Sequence, residues 1–336
     1  MTAARRILVV GPSWVGDMVM AQSLFMTLQA RHPGAQIDVL APQWSLAILE
    51  RMPQVRQGIA MPLGHGQFGL RTRWQLGRQL AKQAYDQAIV LPGSLKSALV
   101  PWFAGIARRT GYTGEIRYGL LNDRRHLDKQ ALPMTVQRFV ALGMEPHPAQ
   151  APDIAPPRLV ANADNALQLR SRLGLDGECP AVAFMPGAEY GPAKQWPAPH
   201  FAQLAKDLIA LGHQIWILGS AKDRAVGETI AQTVASPALH TLCGQTQLGD
   251  VVDLLSNCHA AVSNDSGLMH VAAALNIPLV ALYGSSDPKH TPPLSPRARI
   301  QYLGLPCSPC FERQCSLGHT RCLHDIHPDQ VLQALA

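Results

Sequence analysis

The stretch Pro146-His147-Pro148-Ala149-Gln150-Ala151-Pro152-Asp153-Ile154-Ala155-Pro156-Pro157 divides the chain. Proline fixes φ and lacks an N–H, so this segment can sustain neither a helix nor a central strand and reads as a linker from about residue 146. On both sides of it short apolar runs alternate with amphipathic ones. Before it, the pattern predicts strands over 6–10, 36–40 and 86–91, and helices over 18–30, 73–82, 96–107 and 135–142. After it, helices are predicted over 162–173, 200–211, 223–234 and 248–258, with strands over 181–185, 214–218, 239–242, 260–263 and 279–283. Two such series imply an α/β chain with two Rossmann-like, doubly wound parallel sheets: residues 1–157, then 158–325, with a C-terminal helix over 326–336. Ligands of such sheets bind outside the carboxyl ends of the strands, so the cleft between the two domains is the expected site.

Length and composition agree. The chain has 336 residues, of which 47% are apolar, enough for two full cores. No run of eighteen apolar residues suggests a spanning helix. Arg5-Arg6 is followed by only Ile7-Leu8-Val9-Val10 before Gly11-Pro12, too short for a signal-peptide core, so a cytoplasmic protein is expected. Seven cysteines, an odd number, do not suggest a secreted disulfide framework. Residues 1–150 carry 17 Lys and Arg against 8 Asp and Glu, whereas residues 151–336 carry 12 against 15. A basic first half suits an acidic partner: a phosphorylated substrate, a membrane surface or nucleic acid. Nucleic acid is the poorest of these, since only 6% of residues are aromatic and none are interleaved with a basic run.

Asn264-Asp265-Ser266-Gly267-Leu268-Met269-His270 lies between the apolar run 260–263 and the helix former Val271-Ala272-Ala273-Ala274-Leu275. Ser266 and Gly267 would open a helix whose first N–H groups and dipole favour an anion, and His270 sits one turn in. Gly11-Pro12-Ser13-Trp14-Val15-Gly16-Asp17 follows the first strand, but its glycine spacing is not a dinucleotide fingerprint. Asp17 at the helix start reads as a cap, in a loop that should border the cleft. Lys194, among Pro192, Trp196, Pro197 and Pro199, is a cation in a stiff loop after the strand 181–185. Asp223, after Gly219-Ser220, is a cap or a contact to a ribose.

Gly11–Met18, the run Pro186-Gly187-Ala188-Glu189-Tyr190-Gly191-Pro192-Ala193-Lys194-Gln195-Trp196-Pro197 and the run Asn264–Leu275 occur in the order that resembles the ADP-heptose:lipopolysaccharide heptosyltransferases of glycosyltransferase family 9, in particular the branch that adds the second heptose of the inner core. Leu121-Asn122-Asp123 and Ala281-Leu282-Tyr283-Gly284 extend the likeness over nearly the whole chain. The resemblance implies a GT-B fold with acceptor on the first domain and ADP-heptose on the second. It implies inverting transfer of L-glycero-D-manno-heptose to heptosyl-Kdo2-lipid A, without a catalytic metal. It makes Asp17 the base and places Lys194, Asp223, Asp265, Ser266, Gly267 and His270 at the donor. Lys194 and the N–H groups at 266–267 would stabilise charge on the departing ADP. The phosphate-rich acceptor gives the basic half a purpose: Ser13, Arg71, Arg73, Ser94, Lys96 and Arg117 are its candidate contacts, with peripheral contact at the cytoplasmic face of the inner membrane. A nucleotide-sugar epimerase on a related fold is the alternative.

Cys307, Cys310, Cys315 and Cys322 form C-x2-C-x4-C-x6-C, near His319, His324 and His327. Such a set can close a structural zinc site or hold an iron–sulfur cluster, although reduced thiols or a disulfide remain open and the spacing is not that of a standard finger. Some proteins resembling this chain lack these cysteines, so transfer should not need them.

Overall fold

The structure, a computed structural model, describes residues 4–64, 66–146, 151–175 and 179–335. The chain divides into two compact units, Met1–Pro157 and Arg158–Ala336. The first holds strands β1 (Arg6–Val10), β2 (Gln36–Pro42), β3 (Val55–Met61), β4 (Gln87–Val90), β5 (Arg108–Tyr112) and β6 (Asp123–Arg125). Their spatial order is β3-β2-β1-β4-β5-β6, and every pairing is parallel. The second holds β7 (Ala181–Met185), β8 (Gln214–Ile217), β9 (Leu239–Thr241), β10 (Ala260–Asn264), β11 (Leu279–Tyr283) and β12 (Ala298–Tyr302). Its order, β12-β11-β10-β7-β8-β9, is the same winding read from the other edge. In each unit the chain reverses its direction of travel beside the first strand: between β1 and β4, and between β7 and β10.

The central strands are apolar because helices cover both faces of a parallel sheet. All five residues of β7 are buried, as are all five of β10 and β11. In the first unit Leu8, Val10, Leu40, Ala88 and Val90 pack with Tyr85, Val100 and Ile106. In the second, Phe184 and Trp196 flank Phe201 at ring separations of 5.4 and 4.7 Å. Ile326 and Val331 join that core, and the Trp196 indole donates to the Ile326 carbonyl at 2.9 Å. The terminal helix Pro328–Leu335 is therefore an integral layer of the second unit, not an appendage.

Three departures from the sequence pattern have physical causes. The first helix is Val15–Arg31, a turn longer at its start than predicted, because the chain turns at Trp14 rather than after Asp17. The predicted helix over 96–107 shrinks to a 3-10 turn, Leu95–Ala98, and the short helix Leu99–Phe103, stopped at Gly105 with φ of +66°. Four strands that the pattern does not announce, β3, β5, β6 and β12, lie toward the sheet margins. Of the linker, residues 147–150 lie outside the described residues. Residues 151–162 form neither helix nor strand, and Ser23 donates to the Ala155 carbonyl at 2.7 Å.

Candidate functional site

In the second unit, the β7 and β10 ends meet at the winding reversal, the usual ligand position of a doubly wound sheet. Asn264, the last residue of β10, ties the two ends together. Its amide donates to the Pro186 carbonyl at 2.6 Å and accepts from the Trp196 N–H at 3.0 Å. Trp196 in turn is anchored in the core, so the loop carrying Lys194 is held at both ends. Lys194 Nζ meets Asp265 Oδ2 at 2.5 Å, with the two side chains 17% and 5% exposed. The Ser286 hydroxyl donates to the same carboxylate oxygen. Tyr190 lies beneath the ammonium, its ring centre 5.1 Å away.

Ser266 is the N-cap of the helix Gly267–Ala274, and its side chain caps none of that helix's N–H groups. The first turn of a helix has N–H donors without intrahelical partners, so this end favours an anion. His270 is buried in the same turn. Burial first, and the nearby Lys194 cation, depress its pKa to about 4 against the opposing pull of Asp265, so the ring is neutral at pH 7.

Asp223 stands at the neighbouring β8 end. Its carboxylate accepts from the Ser220 N–H and hydroxyl, both at 2.8 Å, as a capping box. It also touches the β7 end: a Cβ at Gly187 would sit 2.3 Å from Asp223 Oδ1, so a side chain there would displace this carboxylate. Lys194, Asp223, Asp265, Ser266, Gly267 and His270 thus all lie at adjacent strand ends of one unit. Asp265 accepts from both Lys194 and Ser286, so its carboxylate holds the cation in place. Ser286, which the motifs do not single out, could have been found from its place just past the β11 end.

In the first unit, Asp17 is the third helical residue after the Trp14 cap, half-buried in the first turn. The capping reading is corrected accordingly, since Trp14 occupies that position. Exposed Ser13 follows β1; Ser94 and half-buried Lys96 follow β4, across the winding reversal. Arg71 is exposed on the helix Leu70–Leu80. Arg73 and Arg117 depart from their expected role as open acceptor contacts. Arg73 is buried and donates to the Phe68 and Lys96 carbonyls at 2.7 and 3.2 Å. Arg117 is buried and donates to the carbonyls of Pro92 (2.8 Å) and Tyr112. Both guanidiniums brace the β4 loop, because their elements aim them at backbone carbonyls that no local pattern reveals.

The four C-terminal cysteines line one cavity with Ala193 and Ser285. The closed tetrahedral set that their spacing suggested is not formed: among the described residues no three His, Cys, Asp or Glu side chains converge as an ion site.

Comparison with known proteins places this geometry. Residues 73–321 match the family Glycosyltransferase family 9 (heptosyltransferase). Lipopolysaccharide heptosyltransferase 2 of Escherichia coli K12 is 49% identical over 98% of this chain and 97% of its own length. Lipooligosaccharide heptosyltransferase 2 of Haemophilus influenzae is 51% identical over 98% of both. The solved structure of E. coli ADP-heptose lps heptosyltransferase II superposes with a TM-score of 0.86 at 47% identity, covering 98% of this chain and 97% of that one. Two doubly wound parallel sheets, matching motifs and near full-length identity lead to one assignment: the chain belongs to glycosyltransferase family 9, the heptosyltransferases.

Proposed function

We propose that this chain transfers L-glycero-D-manno-heptose from ADP-heptose to the first heptose of the lipopolysaccharide inner core, with inversion at the anomeric carbon. The observation that carries this reading is the Lys194 ammonium, held against the residue that precedes an uncapped helix start. The Asp17 carboxylate takes the proton of the acceptor hydroxyl. The new C–O bond forms as the anomeric C–O–phosphate bond breaks, and ADP leaves with the electron pair. Lys194 and the first-turn N–H groups of Gly267–Ala274 stabilise the charge arriving on the diphosphate. Neutral His270 can offer a hydrogen bond without adding charge. In this reading Asp223 contacts the nucleoside hydroxyls, and Ser13, Ser94, Lys96 and Arg71 contact the acceptor. These groups supply charge stabilisation and proton transfer with no catalytic metal.

We further assign the first unit a peripheral contact with an anionic leaflet. Among the described residues no helix is long and apolar enough to cross a membrane. The helix Leu70–Leu80 exposes Leu70 and Trp74, one turn apart, beside Arg71 and Arg78. The adjoining helix Leu99–Phe103 exposes Trp102. Gly77 permits their close approach, since a Cβ there would meet Phe103 Cβ at 2.5 Å. Apolar and basic side chains on one surface suit a lipid–water boundary.

The test is mass spectrometry of a heptosyl-Kdo2-lipid A acceptor incubated with ADP-heptose. A one-heptose mass increase is the result that agrees. Asp17→Ala should cut kcat by about 10²-fold or more with donor affinity kept. Lys194→Ala should lower kcat by a similar factor, about 3 kcal/mol of barrier. Undiminished turnover in either variant removes that residue from the chemistry.

A further inference from the structure

The tryptophans of the first unit, Trp14, Trp44, Trp74 and Trp102, are all exposed, whereas Trp196 and Trp216 of the second are buried. Trp74 and Trp102 belong to the basic, apolar surface described above. Trp14 and Trp44, each 47% exposed, lie elsewhere. They follow β1 and β2, at the carboxyl edge of the sheet where ligands bind. These strands are parallel neighbours in which Val10 pairs with Leu40, so each indole comes four residues after its paired position. Large apolar side chains gathered in water on one sheet edge mark a binding surface.

Both indoles stand on well-held backbone. The Gly11 N–H donates to the Leu40 carbonyl at 2.9 Å, joining the two strand ends. The Trp14 carbonyl accepts from the N–H of buried Met18 at 2.9 Å. Trp44 is the middle residue of the 3-10 turn Gln43–Ser45, where the buried Ser45 hydroxyl donates to the Pro42 carbonyl at 2.8 Å. Trp14 holds the N-cap position of its helix without a side-chain capping bond. The chain thus forgoes the hydrogen bond that Ser, Thr, Asn or Asp supplies there, a local rule broken at a ligand edge. Asp17 lies three residues on, one helical turn away.

The surroundings select the ligand. Residues 11–17 and 41–46 include no Lys or Arg, so this edge attracts neither a phosphate nor an anionic lipid. They offer instead the Ser13 hydroxyl, the Gln43 amide and the Asp17 carboxylate beside two flat apolar rings. The negative face of an indole attracts the C–H face of a pyranose, and hydroxyl, amide and carboxylate groups bind sugar hydroxyls. We propose that Trp14 and Trp44 form an aromatic platform for the uncharged heptose of the acceptor, with Trp14 setting the attacking hydroxyl toward Asp17. The platform rests on the transfer reading above, which puts the acceptor on the first unit.

The test uses the full chain and a lipid-free heptosyl-Kdo2 saccharide, which has no acyl chain to enter a membrane. Trp14→Ala and Trp44→Ala should each raise KM for this saccharide about tenfold, with KM for ADP-heptose unchanged. Trp14→Ala should also lower kcat, because the hydroxyl is no longer set against Asp17, whereas Trp44→Ala should move KM alone. Trp14→Phe and Trp44→Phe should recover most of the loss. The effect should be equal at low and high salt, as stacking requires and charge pairing does not. Without ADP-heptose, the saccharide should shift the tryptophan emission of the parent to shorter wavelength and leave Trp14→Ala/Trp44→Ala unmoved. A parental saccharide KM in either alanine variant, or an emission shift that is absent from the parent or survives the double substitution, overturns the proposal. So does loss of vesicle binding with the saccharide KM intact, which would give the indoles to a membrane. A parent whose emission shifts but which transfers no heptose keeps the platform and sinks the transfer reading instead.

Discussion

At the residue scale, Asp265 accepts from both the Lys194 ammonium and the Ser286 hydroxyl. In the reaction proposed above, the ammonium therefore has a resting partner before a diphosphate arrives. His270 shows the other face of burial. Its neutral ring is favoured in the fold, with a pKa near 4 against an ordinary 6.5. Below about 6.5 the unfolded chain gains a proton that the folded chain refuses. Stability should thus fall as pH drops from 6.5 toward 4, by up to about 3 kcal/mol from this group. Denaturation midpoints of His270→Asn across that range should decline less than those of the parent; equal declines would contradict it. His270 and Lys194 were legible in the sequence because each sits in a short motif with a strand before it. The bracing roles of Arg73 and Arg117 were not, since they depend on carbonyls that tertiary packing brings near.

Among elements, the ends of β7 and β10 matter more than the strands themselves. Asn264 makes two hydrogen bonds that join them, both buried. Asn264→Ala leaves the Trp196 N–H and the Pro186 carbonyl without these partners, at about 1–3 kcal/mol each. The expected outcome is a lower urea midpoint together with reduced kcat, because the Lys194 loop loosens. A stable variant with full turnover would show that the loop is held by the Trp196 ring alone. Strands covered on both faces, such as β7 with its five buried residues, were readable as apolar runs. The marginal strands β3, β5 and β6 were not, for charged residues that pair across strands interrupt their apolar pattern. Asp123 of β6 pairs with Arg108 of β5 at 2.9 Å, and Arg56 of β3 with buried Asp38 of β2. Charged partners far apart in sequence leave no periodic trace.

For the molecule as a whole, basic charge is concentrated in the first unit, where the exposed Leu70, Trp74 and Trp102 also lie. Co-sedimentation with vesicles containing anionic lipid should retain the chain at low salt and release most of it at high salt. Leu70→Glu/Trp74→Glu should bind about tenfold more weakly, while neutral vesicles should bind neither protein appreciably. Equal binding by parent and variant would move the contact elsewhere. The proline cluster made the division near residue 157 visible before any coordinate. The cavity that Cys307, Cys310, Cys315 and Cys322 share with Ala193 and Ser285 was not visible, because spacing alone cannot say which side chains line one wall. The two units repeat one winding without repeating a sequence, so each preserves a scaffold while its strand ends vary independently. If the proposed division of labour holds, nucleotide recognition and acceptor choice are inherited as separate modules, and a graft at Pro157–Arg158 would exchange one without rewriting the other.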